Sequence, residues 1–143
     1  MLTNEVKERL ILVVEDDPEH LRVIEQAFGQ EKVVAIANGN EALAFLQRQG
    51  TYQDVSYPDL ILLDLNLPGR DGRELLLSIK QDDRLRRIPT IVLTGSEDPD
   101  DIFSSYVNQG NCYVIKSSNL DQLSQIVARI EDFWLGIVTL PLD

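Results

Sequence analysis

Five short apolar runs, each followed by a stretch long enough for a helix, constrain this chain more than any other feature. The runs are 10–14, 33–37, 60–63, 91–93 and 112–115. They are rich in Val, Ile and Leu and too short to be buried helices. Between them the apolar spacing changes to three and four, the period of one helical face. Leu21, Ile24 and Phe28 mark a first helix, which Pro18 opens, Asp17 caps and Gly29 ends. Asn38, Gly39 and Asn40 read as a turn before a second helix carrying Ala42, Leu43 and Leu46, stopped at Gly50. A polar loop from Thr51 to Pro58 follows. The third helix starts near Asp71 and carries Leu75, Leu76 and Ile79. The fourth begins near Pro99 and is the least apolar, with only Ile102, Phe103, Tyr106 and Val107 as a face. The fifth is the clearest, with Leu120, Leu123, Val127, Ile130 and Trp134 on one stripe.

Strictly alternating strands and helices predict a parallel sheet covered on both faces. Near-continuous apolar strands agree, because strands buried on both sides have no polar face. Right-handed crossovers leave few topologies. The expected fold is α/β, a flavodoxin-like (βα)5 doubly wound sheet in the order 2-1-3-4-5, over residues 1–134. Residues 135–143 form a short apolar extension. A chain of 143 residues suits one domain. The run MLTNEVKERL is too charged for a secretory signal. No apolar run reaches the roughly 18 to 20 residues that span a membrane. The single cysteine, Cys112, excludes an internal disulfide framework and reads as a small core residue. These features point to a cytoplasmic protein. The 24 acidic and 13 basic residues, net −11, argue against binding DNA or an anionic membrane. Arg84, Arg86 and Arg87 are the one basic cluster and read as a solvated loop. No DNA-binding region is expected after residue 143.

In such a sheet, ligands bind beyond the carboxyl ends of the strands, near the switch point between strands one and three. Strand one runs into Glu15, Asp16 and Asp17. Strand three, in the segment PDLILLDLNLPGRDG, runs into Asp64. Strand four ends in Thr94, Gly95 and Ser96, and strand five runs into Lys116. Two carboxylates about 4 Å apart repel by roughly 4 kcal/mol at an effective dielectric near 20. Three together take up protons or bind a cation. Oxygen ligands from one or two carboxylates, a carbonyl and waters describe Mg2+, and no Cys/His cluster suits zinc. Lys116, the Thr94 hydroxyl and the open backbone N–H of Gly95 would receive a phosphate-sized anion. Asp64 is central among them and is the candidate carboxylate nucleophile, forming an aspartyl phosphate.

With Glu15-Asp16, Asp64, Pro68, Gly72, Thr94-Gly95 and Lys116 in order, each after a strand, the chain resembles a response-regulator receiver domain over about residues 9–134. The resemblance implies that Asp64 accepts a phosphoryl group from a histidine kinase in a two-component system. It implies that Asp16, Asp64 and the backbone carbonyl of Asn66 hold Mg2+ directly, with Glu15 acting mostly through water. Lys116 would pair with the phosphoryl group. Thr94 would swing toward it, Tyr113 would follow inward, and the face made by helix four, strand five and helix five would be reshaped. The Lys116–Leu120 run, the Asp64–Pro68 run with Gly72 and Arg73, and the closing FWLGIVTLPLD are similar to receiver-only regulators that partner phytochrome-type histidine kinases. Two positions depart from the family: Ser117 stands where a cis proline usually follows the lysine, and Leu67 where methionine is usual.

Two readings of the extension stay open. Leu135, Ile137, Val138, Leu140 and Leu142 fold back on their own core, or they form the contact of a homodimer. His20, the only histidine, reads as a surface residue in the first helix. Three other functions compete. A receiver that only binds is opposed by the complete set of Asp16, Asp64, Thr94 and Lys116. A Mg2+-dependent aspartyl-phosphate phosphatase needs an acid two residues after its nucleophile, where this chain has Asn66. A flavin binder needs a phosphate loop after strand one, where this chain has carboxylates. The expectation is a phospho-accepting signalling protein, with self-phosphorylation and slow self-dephosphorylation as its only chemistry.

Overall fold

A computed structural model of the chain describes residues 9–141; residues 1–8 of the expected domain, and Leu142 and Asp143 of the expected extension, lie outside the described residues. The strands are β1 (Leu10–Val14), β2 (Lys32–Ile36), β3 (Leu60–Leu63), β4 (Thr90–Thr94) and β5 (Cys112–Ile115). The helices between and after them are α1 (Pro18–Phe28), α2 (Gly39–Leu46), α3 (Gly72–Gln81), α4 (Pro99–Val107) and α5 (Leu120–Glu131). All pairings are parallel and the strand order is β2-β1-β3-β4-β5, as the alternation requires.

Strand periodicity divides the core in two. Leu12, Val14, Ile61, Leu63 and Val92 face α2 and α3. Ile11, Val13, Leu60, Leu62, Ile91 and Leu93 face α1 and α5. Every residue of β1, β3 and β4 is buried because helices cover both sides. The edge strands β2 and β5 are only partly buried, so Cys112 is half-buried rather than fully enclosed.

Local chemistry moves some boundaries. The Asn38 side chain accepts hydrogen bonds from the N–H groups of Asn40 and Glu41, so α2 begins at Gly39, inside the expected turn. An N-terminal asparagine caps a helix well, and this one wins over the turn reading. β2 spans 32–36 rather than 33–37, since the Lys32 N–H already donates to the Arg9 carbonyl. Beyond α5 the chain does not stop at Trp134 but widens into a π-helical stretch, Asp132–Ile137. This stretch turns Leu135 into the α1–α5 core, and the Arg9 guanidinium donates to its carbonyl. Phe133 and Ile137 point the other way, 50% and 73% exposed. The extension thus has one inward and one outward side, and a boundary at 134/135 falls within a single helical stretch. The weak stripe of α4 is equally visible: Phe103, Tyr106 and Val107 are exposed and Ser105 is its one buried residue.

Gly72 opens α3 against the end of β3. A Cβ there would lie 2.5 Å from the Leu65 Cα and against the Asp64 carbonyl, both backbone. Replacement by alanine must push the β3 end aside. Overpacking of this kind costs about 1–3 kcal/mol, and Gly72→Ala is expected to lower the urea midpoint accordingly. An unchanged midpoint would mean that the β3–α3 junction yields without cost.

Candidate functional site

Register brings the candidate residues together. Val14 lies opposite Leu63, so Glu15 and Asp64 leave the sheet side by side. The Asp64 N–H donates to the Val14 carbonyl at 3.0 Å, and the Lys116 N–H to the Thr94 carbonyl at 2.8 Å, which aims these residues past the same sheet edge. The Lys116 ammonium lies 2.6 Å from Glu15 Oε1 and 2.8 Å from Asp64 Oδ2. It reaches across the end of β4 to do so. All three side chains are nearly sealed, at 8%, 3% and 6% exposure. Asp64 Oδ1 accepts from the Thr94 hydroxyl at 2.7 Å and from the Asn66 N–H at 3.0 Å. Glu15 Oε2 accepts from the N–H groups of Asp16 and Asp17 at 3.0 and 3.2 Å.

Burial and bonding act in opposite directions on these charges. Burial pushes the Glu15 carboxyl up to about 7, with the Lys116 hydrogen bond opposing it and the charge of Asp64 adding to it. Burial also raises Asp64, but hydrogen bonds from Lys116, Thr94 and Asn66 outweigh it and hold that carboxyl below its ordinary value. Lys116 loses to burial and gains more from Asp64 and Glu15, so its ammonium is held above the ordinary lysine value. Of the two carboxyls, Asp64 is held below its ordinary value and Glu15 above it.

Asp16 stands exposed beside them, and oxygens of Glu15, Asp16 and Asp64 all come within 4.8 Å of one another. One ammonium does not balance three carboxylates. A hard cation with oxygen ligands fits this donor set. Asn66 is exposed two residues past Asp64, and Gly95 is exposed with nothing within 4 Å of where a Cβ would be. Thr94 already reaches Asp64, so its expected swing starts from a bonded position. Tyr113 is half-buried against the α2–α3 side of the core, and its hydroxyl donates to the Ser96 carbonyl at 2.9 Å. Among the described residues no peptide bond is cis, so the Lys116–Ser117 bond is trans. Ser117 instead donates its hydroxyl to Gln122 at 2.7 Å and accepts the Asn119 N–H at 3.1 Å, next to the Asn119 cap of α5. His20 is more enclosed than a surface reading allows, at 19% exposure, with its Nδ1 3.7 Å from Asp17.

One cluster escaped the sequence reading. The Arg73 guanidinium meets Asp101 in a two-point pair, Nε to Oδ1 and Nη2 to Oδ2, each at 2.7 Å. Its Nη1 also reaches the Leu65 carbonyl at 3.3 Å. Ser96 adds its hydroxyl to Asp101 Oδ2 at 2.6 Å. The Arg73 bond, helped by Ser96, holds the Asp101 carboxyl down at about 2. Arg73 and Asp101 each sit in the first turn of a helix, where a charge reads as solvated. Only the fold shows that the two turns face each other. The pair ties the loop after β3 to the loop after β4, and Ser96 carries that tie to Tyr113.

Comparison with known proteins places the fold. The family model described as "Response regulator receiver domain" matches residues 11–128. Response regulator Rcp1 of Synechocystis sp. is 46% identical over 137 residues, 93% of each chain. The crystal structure of the phosphorylated cyanobacterial phytochrome response regulator RcpA superposes with a TM-score of 0.93 at 50% identity, covering 94% of this chain and 99% of that one. The Mn2+-bound form of Rcp1 gives a TM-score of 0.91 at 46% identity over the same shares.

The carboxylate cluster generates a direct expectation. A divalent cation at a hundred times its dissociation constant adds about 2.7 kcal/mol to the unfolding free energy. Mg2+ or Mn2+ should therefore raise the urea midpoint, and Asp16→Asn should remove that increment while leaving the fold. A midpoint that rises equally in the variant would place the cation elsewhere.

Proposed function

The chain belongs to the response-regulator receiver family, and on that footing we propose that it accepts a phosphoryl group on Asp64 in a Mg2+-dependent reaction. The observation that carries the proposal is the buried Asp64 carboxylate, held ionised between the Lys116 ammonium and the Thr94 hydroxyl. The donor is a histidine kinase. An Asp64 oxygen attacks phosphorus, a carboxyl–phosphate bond forms, the phosphorus–nitrogen bond of the phosphohistidine breaks, and the freed imidazole takes a proton. Glu15, Asp16, Asp64 and the Asn66 carbonyl would hold Mg2+, which when bound neutralises charge on the phosphoryl oxygens. Lys116 is placed to exchange its Asp64 contact for a phosphoryl oxygen, and the Gly95 N–H has room for another.

The similarity to Rcp1 and RcpA supports a kinase of the phytochrome type. Exposed Phe103, Tyr106, Val107, Phe133 and Ile137 support a homodimer through the face of α4, β5 and α5 and the stretch after it. Thr94, Ser96 and Tyr113 would couple that face to the phosphoryl group, a local charge biasing a two-state element.

Incubation with acetyl phosphate and Mg2+, followed by intact mass measurement, tests the reaction. The expected result is a single phosphoryl adduct that is lost without Mg2+ and absent in Asp64→Asn. A normally labelled Asp64→Asn protein would sink the assignment. For the dimer, Ile137→Ser should shift sedimentation toward monomer; an unchanged profile would place the contact elsewhere.

A further inference from the structure

We propose that the chain carries a second anion site, at the pole of the sheet opposite Asp64, that takes a small phosphate-bearing ligand. A cavity of about 380 Å³ opens there, beside the amino-terminal ends of β3 and β4. That volume falls in the range of small-ligand pockets, about 300 to 1,000 Å³. Arg48, Tyr57, Asp59, Arg84, Arg87 and Pro141 line it. The arginine cluster of the sequence divides at this point. Arg86 turns to Asp83, 3.7 Å away, while Arg84 and Arg87 face the cavity and Arg48 joins them from the end of α2.

Three guanidinium groups around one opening run against the balance of a chain with 24 acidic and 13 basic residues. Among the described residues none of the three pairs with a carboxylate. Asp59, the acidic group in the lining, spends its Oδ2 on the Leu10 N–H at 2.9 Å. Among the described residues the opening thus has an excess of positive charge, and a bound oxyanion would relieve it.

The donors are also held in place. The Arg48 guanidinium lies 3.8 Å over the centre of the Tyr57 ring, and Arg84 donates to the Tyr57 hydroxyl at 3.2 Å. The Arg48 Nε–H is buried and has no acceptor. A buried donor without a partner is costly, which marks Arg48 as a side chain held there against an energetic penalty. Arg48 also holds a φ of +54°, a left-handed conformation uncommon for a residue with a long side chain. The turn that carries Arg84 and Arg87 is fixed from beneath by Lys80. Its buried ammonium donates to the carbonyls of Arg86 and Ile88 at 3.2 and 2.9 Å and to Asn111 Oδ1 at 3.0 Å. That same Asn111 oxygen accepts the Thr90 N–H at 2.7 Å, which locks the turn to β4. Planar guanidinium forks on a fixed frame suit phosphate oxygens, and the confined volume suits a small molecule.

The test uses the full chain with Asp64→Asn and no divalent cation, so that the other pole cannot take phosphate. Inorganic phosphate and, separately, glycerol phosphate are titrated while NMR follows the Arg Nε–H and backbone N–H signals. The expected result is saturable shifts at Arg48, Tyr57, Arg84 and Arg87. Affinity should fall at least about tenfold in Arg48→Gln and in Arg84→Gln and stay unchanged in Arg86→Gln. Tighter binding of either probe identifies the source of the phosphate as free or esterified. Shifts that do not saturate, that chloride reproduces at matched ionic strength, or that survive in Arg48→Gln and Arg84→Gln would overturn the proposal. The dispersion of each variant's spectrum reports whether it is folded.

Discussion

The ammonium of Lys116 between Glu15 and Asp64 is the contact on which the rest of the site depends. Two buried carboxylates from adjacent strands cannot both stay charged at close range without a cation. Lys116 supplies one from β5, reaching over β4, and so joins the carboxyl ends of β1, β3 and β5 in a single contact. Its effect is uneven. Asp64 has Thr94 and the Asn66 N–H as further donors and stays ionised, whereas Glu15, more dominated by burial, holds its proton more readily. The uneven division suits the role proposed for Asp64, because a carboxylate nucleophile must be charged to attack.

From Asp64 the contacts run outward in a chain of polar groups. Thr94 bonds Asp64. Two residues on, Ser96 bonds Asp101 through its hydroxyl and Tyr113 through its carbonyl. Asp101 is in turn gripped by Arg73, whose other nitrogen touches the Leu65 carbonyl beside Asp64. The path closes on itself, so a new charge at Asp64 meets both ends of it. The α4 helix, which this network flanks, has little buried apolar surface to resist a shift.

The fold was legible because its signal is periodic. Apolar runs of four or five residues separated by helical stripes allow few arrangements, and the buried β1, β3 and β4 obey the rule most closely. Asp16, Asp64, Thr94 and Lys116 are legible because each ends or follows a strand, and parallel topology sends all such positions to one edge. What sequence could not supply was contact between solvated-looking charges. Arg73 and Asp101 carry no shared period, and Arg48 gives no sign that it will meet Arg84 across Tyr57. Asn38 reads equally as a turn, because the same residue caps helices and starts turns, and only packing decides between them. The change to π-helical winding after Glu131 left no mark in the apolar stripe, which runs on to Trp134 unbroken.

On the proposed reading the carboxylate held by Lys116, and not the exposed Asp16 beside it, takes the phosphoryl group. Phosphorylated protein can be reduced with borohydride, which converts an aspartyl phosphate to homoserine, and then digested and sequenced by mass spectrometry. The account predicts homoserine at residue 64 alone. Homoserine at residue 16, or at any other aspartate with residue 64 unchanged, would contradict it.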